Sequence, residues 1–374
     1  MRIGIDIRNL TRDLSGTSRY IFEICREFNK FNCQTIGFLP SEVNENFKDI
    51  NIFLNEVNIG QSSNFVSRFI WGDFFLTKLI VKKNIDIFWG AAHSLPRNIP
   101  NNIKKVITVF DLYSVNNPKF ENFFRYIKEN ISLPSSIARA DLIIVPSQST
   151  KNELIDFDKS SEKKIHIVKL GNFFIKKKGE NFFKDHISNI LKPYLLFVGV
   201  ISERKNLHNF FFSYSKLPDY IKNQYNIVII SNSSWATKKL LTYTKKIGIN
   251  NSVFLFTNVN DQELSWFYKN AELLIFPSFH EGFGLPVIEA QYFGVPVLTS
   301  NISSLPEVAN TVGSIFINPY STNNMIAVLY KTLKNKNIIK KKREELLKKK
   351  INYTWKLTAL QIYRLFKSLY KKNV

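Results

Sequence analysis

The sequence contains few cysteines, no long apolar run and a shortage of acidic residues. The two cysteines among its 374 residues, Cys25 and Cys33, stand apart from any cluster of cysteine or histidine. They fit neither a disulfide framework nor a metal site, and idle thiols of this kind are typical of a reducing compartment. No apolar run approaches the ~18 residues of a membrane span. The opening MRIGIDIRNL predicts a first strand in place of a signal peptide, so we expect a cytoplasmic protein.

The shortage of acidic residues leaves a large positive charge. Lys and Arg number 52 against 30 Asp and Glu, a formal net charge of +22. A protein with such a charge can bind nucleic acid, an anionic membrane surface or an anionic substrate. The sequence has no zinc-finger spacing, no aromatic ribonucleoprotein motif and no helix-turn-helix pattern, which argues against nucleic acid.

Two stretches favour the membrane surface. Phe65–Lys83 and Phe120–Lys128 interleave aromatic with basic residues, and Phe69, Trp71, Phe74 and Phe75 are the aromatics of the first. The lysine-dense Lys340–Lys350 adds positive charge but few aromatics. The alternative is that the aromatics are core residues and the lysines a solvated face. We predict peripheral association with the inner face of an anionic membrane.

Strand-like and helix-like patterns alternate along both halves of the chain, which predicts an α/β protein with two doubly wound parallel sheets. The length suffices for two domains. We expect an N-terminal domain over 1–175, a linker over 176–193, a second domain over 194–350 and a final helix over 351–374 that packs back on the first domain. The active site is then expected in the cleft where the strand ends of the two domains face each other.

The stretch FPSFHEGFGLPVIEA, residues 276–290, combines a strand, a glycine loop and a helix. Gly282 and Gly284 allow bare backbone to approach a ligand, and Pro286 fits the first helical position. The unpaired N–H groups of a helix N-terminus favour a phosphate or diphosphate there. Two carboxylates flank the loop: Glu281 can accept sugar hydroxyls, and Glu289 can take both hydroxyls of a ribose. The alternative is a simple turn with a solvated Glu289.

Arg204 and Lys205 follow the predicted strand YLLFVGV and form a pair suited to a diphosphate leaving group, unless the turn is merely solvated. Such a pair, with the helix N-terminus, can supply positive charge without a metal. The acidic DFD at Asp156–Asp158 lies between helical segments and away from any strand end. We therefore predict a metal-independent site. In the first half, His93 and Asp111 follow predicted strands, where ligands of open α/β sheets bind.

The residues EGFGLPVIEA, then GVPVLTSNISSLPEV, together with VGVISERKNL, closely resemble the donor-site signature of retaining GT-B glycosyltransferases of family 4. The resemblance is strong over Tyr194–Pro319 and loose in the first half. It implies a GT-B fold, two Rossmann-like domains facing across a cleft. It also implies a retaining, metal-independent transfer that needs no cofactor beyond a nucleotide diphosphate sugar as co-substrate.

The resemblance assigns roles residue by residue. It implies catalytic roles for Glu281, Asp111, Arg204 and Lys205. It implies donor contacts by Gly16, Gly199, Arg204, Lys205, Gly282, Phe283, Gly284, Leu285, Glu289 and Ser303. Gly16 lies in a glycine loop whose Ser15 and Thr17 could instead cap a helix. The chain departs from the family at Phe110, where relatives often carry histidine, and His93 is the nearest acceptor-side substitute.

We therefore predict a glycosyltransferase that moves a hexose from a GDP- or UDP-linked sugar, a GDP-mannose-like donor being favoured, to a lipid-linked or growing surface polysaccharide such as lipopolysaccharide. Two alternatives remain open at this point. One is a nucleotide-sugar epimerase on the same fold, which would change its sugar without an acceptor. The other is a basic nucleic-acid-binding protein without catalysis, which would lose affinity steeply with salt.

Overall fold

The computed structural model describes residues 1–12, 15–60, 71, 75–116, 123–172, 192–231, 235–309, 311–349 and 352–371, without the side chains of 116, 123–129 and 235. The chain divides into two compact units. Unit 1 comprises Met1–Gly171 together with Tyr353–Val374, and unit 2 comprises Asn172–Asn352. Of the predicted linker over 176–193, all but the last two residues lie outside the described part.

Unit 1 is built on a parallel sheet with the strand order β3-β2-β1-β4-β5-β6-β7. Its described strands are β1 (Arg2–Asp6), β2 (Gln34–Leu39), β3 (Glu56–Ile59), β4 (Ile87–Gly90), β5 (Lys104–Thr108), β6 (Leu142–Val145) and β7 (Ile165–Ile167). The described helices are α1 (Gly16–Phe28), α2 (Ile50–Phe53), α3 (Leu76–Lys82), α4 (Tyr113–Asn116), α5 (Phe123–Arg139) and α6 (Gln148–Phe157). Short 3-10 turns lie at Arg8–Thr11, Glu45–Phe47 and Lys159–Lys164.

Unit 2 repeats this architecture with the strand order β10-β9-β8-β11-β12-β13, again parallel. Its described strands are β8 (Tyr194–Val198), β9 (Asn226–Ile230), β10 (Val253–Phe256), β11 (Leu273–Phe276), β12 (Val297–Ser300) and β13 (Ser314–Ile317). The described helices are α7 (Leu207–Ser215), α8 (Asp219–Lys222), α9 (Trp235–Lys246), α10 (Asp261–Asn270), α11 (Leu285–Tyr292), α12 (Leu305–Val308), α13 (Thr322–Lys334) and α14 (Lys336–Leu347). Its 3-10 turns lie at Glu203–Lys205, Asn250–Ser252 and Thr311–Gly313.

The central strands β8 and β11 of unit 2 are apolar along their whole length because helices cover both faces of a parallel sheet. Every residue of β8 and of β11 is buried. In unit 2 these side chains form one core with the apolar faces of the surrounding helices, including Phe210, Phe211 and Tyr214 of α7. The alternation of strands and helices thus gave the correct class, and the predicted pair of doubly wound parallel sheets is confirmed.

The strand order fixes where each sheet can bind a ligand. In unit 1 the chain turns from one side of the sheet to the other between β1 and β4, and in unit 2 between β8 and β11. Helices leave neighbouring strands in opposite directions at such a switch point, which opens a crevice at the carboxyl ends of the strands. The residues that follow these four strands are therefore the ones to examine for function.

The last helix, α15 (Trp355–Lys371), belongs to unit 1 and packs on α1. Phe366 lies edge-on to Phe28 of α1 with ring centroids 6.0 Å apart, and edge-on to Trp89 of β4 at 5.8 Å. The Thr358 hydroxyl donates a hydrogen bond of 2.9 Å to the carbonyl of Lys169. The chain therefore returns to its first unit after completing the second.

The two stretches proposed for membrane docking lie largely outside the described residues. Within Phe65–Lys83, the structure describes residue 71 and residues 75–83; the side chains of Phe120–Lys128 are not described. Trp71 is only 3% exposed, and the Arg8 guanidinium lies over its ring at 5.5 Å, so its inclusion among membrane-facing aromatics is wrong. No helix in the described residues combines the length and the apolar character needed to cross a membrane.

Candidate functional site

Three charged residues meet at the switch point of unit 2. Arg204 and Lys205 lie in the 3-10 turn that follows β8, and Glu281 lies in the loop that follows β11. Because β8 and β11 are hydrogen-bonded neighbours, residues almost eighty positions apart in the chain become adjacent. The two cations and the carboxylate therefore stand at the place in the sheet where a ligand is expected.

Glu281 binds both cations at once. Its Oε2 accepts a hydrogen bond of 2.7 Å from Arg204 Nη1, and its Oε1 accepts one of 2.6 Å from Lys205 Nζ. The carboxylate is only 6% exposed, Lys205 is buried and Arg204 is half-buried. Each oxygen thus has its own cation, and the three residues together carry a net charge of +1.

The ion pairs decide the protonation state of Glu281. Burial raises the pKa of its carboxyl, but the charges of Arg204 and Lys205 outweigh burial and bring the pKa down to about 2. Glu281 is therefore ionised at any physiological pH. An ionised carboxylate cannot give a proton to a leaving group, so Glu281 is suited to hold cations or accept hydroxyl hydrogen bonds.

Backbone contacts fix the two cations in place. Arg204 Nη1 also donates 2.7 Å to the carbonyl of His280, and the N–H of Phe279 donates 2.9 Å to the Arg204 carbonyl. The Lys205 ammonium lies 4.5 Å from the centroid of the Phe276 ring. Gly199 has φ +138°, a conformation that disfavours a side chain, and a Cβ there would lie 3.9 Å from Lys205 Cε.

Asn206 joins three loops of the site and was not identified from the sequence. It adopts a left-handed conformation with φ +58°, which asparagine tolerates better than most residues. Its buried amide donates 3.2 Å to the Pro277 carbonyl after β11 and 3.0 Å to the Pro319 carbonyl after β13. In the sequence Asn206 is an asparagine that follows a lysine, and no motif there predicts that its side chain connects these loops.

The glycine loop leads into α11 as the sequence predicted, with one difference. The helix begins at Leu285, so Pro286 is its second residue and not its first. Gly284 caps it with φ +106°, and a Cβ there would approach Leu305 Cδ2 to 3.0 Å, so both conformation and space require glycine. Gly282 and Phe283 are buried in this loop, and Leu285 is half-buried.

Two serines hold the loop at Glu281. The Ser303 hydroxyl donates 2.6 Å to the Glu281 carbonyl and accepts 3.1 Å from its N–H, and Ser303 itself has φ +60°. The Ser304 hydroxyl lies within hydrogen-bond distance of the carbonyls of Glu281, at 2.8 Å, and of Phe283, at 3.0 Å. Both of these hydrogen bonds of the Ser303 hydroxyl go to the backbone of Glu281, so Ser303 stabilises the conformation of the loop.

Glu289 lies on α11, and its carboxylate meets a side chain from a neighbouring helix. The phenol of Tyr268 on α10 donates a hydrogen bond of 2.7 Å to Glu289 Oε2. No motif in the sequence singles out Tyr268, which lies in the helical segment DQELSWFYKNA. An aromatic at core spacing does not reveal that its hydroxyl reaches a carboxylate.

In unit 1, Gly16 is the first residue of α1 and Ser15 caps that helix. The Ser18 N–H donates 3.2 Å to Ser15 Oγ, and the Ser15 N–H donates 2.8 Å to Ser18 Oγ. Of the two roles open for Ser15 in the sequence, the structure shows capping. Gly16 stands exposed at the start of this 13-residue helix, where N–H groups lack helical partners.

His93 and Asp111 lie beyond the carboxyl ends of β4 and β5, as expected. His93 Nε2 accepts a hydrogen bond of 3.1 Å from the N–H of Phe110. Phe110 stacks on His93 at 5.7 Å and packs edge-on against Tyr20 at 5.1 Å. Asp111 Oδ1 accepts 3.1 Å from the N–H of Tyr113. His93 therefore supports the loop in which Phe110 and Asp111 stand.

The geometry of unit 2 suits an anion. Two cations and the N-terminus of α11, an eight-residue helix, border the loop around Glu281. Arg204 carries a planar fork of N–H donors, whereas Lys205 carries a compact charge. Among the described residues, no group of three or more His, Cys, Asp or Glu is placed to hold a metal ion.

Two family models match consecutive parts of the chain. Residues 14–171 match the model described as Glycosyltransferase Family 4, and residues 178–356 match Glycosyl transferases group 1. The first match covers most of the N-terminal part of unit 1, and the second contains every unit 2 residue of the site.

The chain is similar to mannosyltransferases of Escherichia coli. It is 29% identical over 293 residues to the serotype-specific mannosyltransferase WbdA of Escherichia coli, covering 74% of this chain and 35% of WbdA. It is 24% identical over 224 residues to the O-antigen chain mannosyltransferase B of Escherichia coli, covering 58% of each. The chain thus spans about a third of the length of WbdA.

A solved structure shares the fold. HepE of Anabaena, determined in complex with UDP-glucose, superimposes with a TM-score of 0.71 over 98% of this chain and 100% of HepE, at 13% sequence identity. The arrangement of elements is therefore shared with HepE although few residues are.

We expect Glu281→Gln to lower the free energy of unfolding at pH 7 by about 3 kcal/mol, because a carboxylate with a pKa depressed to about 2 stabilises the fold and its loss leaves two cations unbalanced. A depressed pKa contributes stability above the ordinary carboxyl pKa and loses it as pH falls toward 2. The difference between wild type and variant should therefore be constant from pH 7 to about 5 and shrink below that.

Glu45→Gln is the matched control for urea unfolding between pH 3.5 and 7. Glu45 also pairs with a lysine, Lys48, at 3.1 Å, but both side chains are exposed. Its loss should change stability by less than about 1 kcal/mol. Equal stability of Glu281→Gln and wild type at pH 7 would contradict the importance of the buried pair.

Proposed function

The chain belongs to the family 4 glycosyltransferases, and we propose that it transfers mannose or a related hexose from a nucleotide diphosphate donor to a growing surface polysaccharide. The observation that carries this proposal is the cation pair Arg204 and Lys205, which a single buried carboxylate holds beside a helix N-terminus. WbdA and mannosyltransferase B support mannose as the sugar and an O-antigen-like glycan as the acceptor. GDP-mannose is therefore the first donor to test.

We assign the diphosphate to Arg204, Lys205 and the N–H groups at the start of α11. When the bond between the anomeric carbon and the phosphate oxygen breaks, negative charge grows on the departing diphosphate. A fork of donors and a point charge next to a helix N-terminus stabilise that charge. Residues Gly199, Gly282 and Gly284 let the diphosphate approach the backbone, and Phe283 and Leu285 border it.

The positions of Glu289, Glu281 and Ser303 around the glycine loop suggest how they contact the rest of the nucleotide sugar. Glu289 takes the ribose hydroxyls while it keeps its hydrogen bond from Tyr268. Glu281 holds the two cations and offers its remaining lone pairs to sugar hydroxyls, since each carboxylate oxygen can accept more than one hydrogen bond. Ser303 shapes the loop through Glu281. Gly16, the first residue of α1, stays a donor contact predicted from the sequence.

The reaction that we propose retains the configuration at the anomeric carbon. The acceptor hydroxyl attacks from the face that the diphosphate leaves, and a phosphate oxygen takes the hydroxyl proton. Asp111, in the loop after β5, is proposed to orient the acceptor hydroxyl by accepting a hydrogen bond from the acceptor, with His93 holding that loop in place. Positive charge from Arg204 and Lys205 makes a divalent cation unnecessary in this scheme.

A donor screen tests the function. We expect GDP-mannose or another GDP- or UDP-sugar at a hundred times its dissociation constant to stabilise the protein by about 2.7 kcal/mol. Transfer to an O-antigen-type acceptor should continue in excess EDTA.

Arg204→Ala should weaken donor binding roughly ten- to hundredfold, because a hydrogen bond to a charged group is lost.

Lys216→Ala controls for charge. Lys216 is exposed in the same unit and lies over the Phe212 ring, away from the switch point. Its loss should leave donor affinity unchanged. The proposal is wrong if no nucleotide sugar stabilises the protein, if Arg204→Ala binds as wild type does, or if sugar is altered without any acceptor.

We also propose that the protein works in the cytoplasm at an anionic membrane surface, where a lipid-linked acceptor would be held. One described surface supports this. Phe75 and Val81 are 57% and 50% exposed, and the exposed Lys78 and Lys82 share their side of α3. Residues separated by three, four and seven positions lie on one helix face, so apolar and basic groups alternate there. The exposed lysines of α14 add to the positive field.

Flotation with vesicles tests the surface on α3. The double variant Lys78→Glu and Lys82→Glu should bind vesicles containing phosphatidylserine at least tenfold more weakly, since each basic residue near such a surface contributes about 1 kcal/mol. Lys245→Glu with Lys246→Glu on α9 makes the same change of net charge at exposed positions and should have a smaller effect. Equal recovery of wild type with neutral and anionic vesicles, at low and high salt, would overturn this part of the proposal.

A further inference from the structure

Tyr268 is buried and its hydroxyl is committed to Glu289. The side chain is only 1% exposed, and its phenol donates a hydrogen bond of 2.7 Å to Glu289 Oε2. Glu289 itself is half-buried, on the helix that begins at the glycine loop. A buried phenol thus joins a carboxylate that a ligand can reach.

The packing around Tyr268 leaves its hydroxyl little freedom. Its ring stacks on Phe293 with centroids 5.9 Å apart and planes 8° from parallel. One residue earlier, the Phe267 carbonyl accepts 2.7 Å from the buried hydroxyl of Tyr194 on β8. Asn260 begins α10 with a reciprocal capping box that includes Glu263. The helix is therefore anchored at its start and near Tyr268, and the phenol approaches Glu289 from a fixed direction.

We propose that Tyr268 is a positioning residue of the donor site, which holds the Glu289 carboxylate in the orientation that receives the ribose. This inference rests on the proposed function, in which Glu289 accepts the ribose hydroxyls. A carboxylate has about four lone-pair positions, and the phenol uses one of them. A carboxylate can therefore accept a ribose hydroxyl while the phenol remains in place, and the phenol restricts the orientations of Glu289 before binding.

The phenol remains a donor under all conditions in which the protein works. Burial raises the pKa of Tyr268 well above its ordinary value, and the nearby negative charge of Glu289 raises it further. Tyr268 therefore does not ionise near neutral pH. The hydrogen bond is a permanent feature of the site and needs no proton transfer.

A purely structural role is the alternative, since a buried phenol that bonds a neighbouring helix also stabilises packing. The two roles differ in what they do to different ligands. Loss of packing would weaken binding of every nucleotide alike. Loss of positioning would weaken binding only where a ribose hydroxyl meets Glu289.

The experiment measures dissociation constants by calorimetry for GDP and UDP and for their 2′-deoxy and 3′-deoxy forms. Wild type should prefer the ribonucleotide that it binds over at least one of its deoxy forms. Tyr268→Phe keeps the ring and its stacking on Phe293. We expect it to weaken ribonucleotide binding about three- to tenfold and to leave the deoxy form nearly unchanged, so that the preference falls.

Tyr194→Phe is the matched control. It also removes a buried phenol with a 2.7 Å hydrogen bond in unit 2, but that bond goes to the backbone and not to Glu289. It should lower the melting temperature and leave the ratio of ribo to deoxy affinity as in wild type. In the Glu289→Ala background, Tyr268→Phe should cause no further loss of that ratio.

The outcomes separate this inference from the function on which it rests. If Glu289→Ala abolishes the preference for ribose and Tyr268→Phe leaves it intact, Tyr268 has only a structural role and the donor site stands. If Tyr194→Phe lowers the preference as much as Tyr268→Phe does, the effect is general and the inference is wrong. If wild type binds neither nucleotide, or Glu289→Ala leaves the preference unchanged, the assigned role of Glu289 fails and the inference fails with it.

Discussion

The proposed donor site depends on one carboxylate that balances two cations. Arg204 and Lys205 stand one after the other at the end of β8, and without a counter-ion their partly buried charges would repel each other and favour another loop conformation. The Glu281 carboxylate offsets this repulsion, and the charges of the same two cations lower the pKa of Glu281. The serines, the glycine loop and Asn206 all position residues of this ion-paired group or the loops that carry them. The three residues together keep a net charge of +1, which can stabilise a negatively charged diphosphate.

Each unit has a switch point in its sheet, but the residues at the two switch points differ in chemistry. At the switch point of unit 2 the neighbouring residues are two cations and the carboxylate that they share. At the switch point of unit 1, Asp6 of β1 holds Arg8 at 2.6 Å, while the loop after β4 carries His93. His93 accepts a hydrogen bond from the Phe110 N–H, and Asp111 accepts one from the Tyr113 N–H, so both side chains contact the backbone of the loop after β5.

Much of this architecture could be predicted from the sequence because apolar strand runs and glycine loops are local signals. Buried β8 and β11, the start of α11 near Pro286 and the capping choice at Ser15 all depend on a few neighbouring residues. The partners of Glu281 could not be predicted, since they depend on β8 pairing with β11 across almost eighty residues. Tyr268 and Asn206 were missed for the same reason. Trp71 was misjudged because an aromatic between basic residues does not reveal which face of the chain is buried.

The most direct test of the account is a crystal structure of the protein with GDP or UDP bound. The account predicts the β-phosphate within about 3 Å of Arg204 and Lys205 and next to the first N–H groups of α11, with Glu281 still ionised beside them. The ribose should lie against Glu289, and the Tyr268 hydrogen bond should persist. A diphosphate bound elsewhere, with Arg204 and Lys205 engaged by Glu281 alone, would contradict the account.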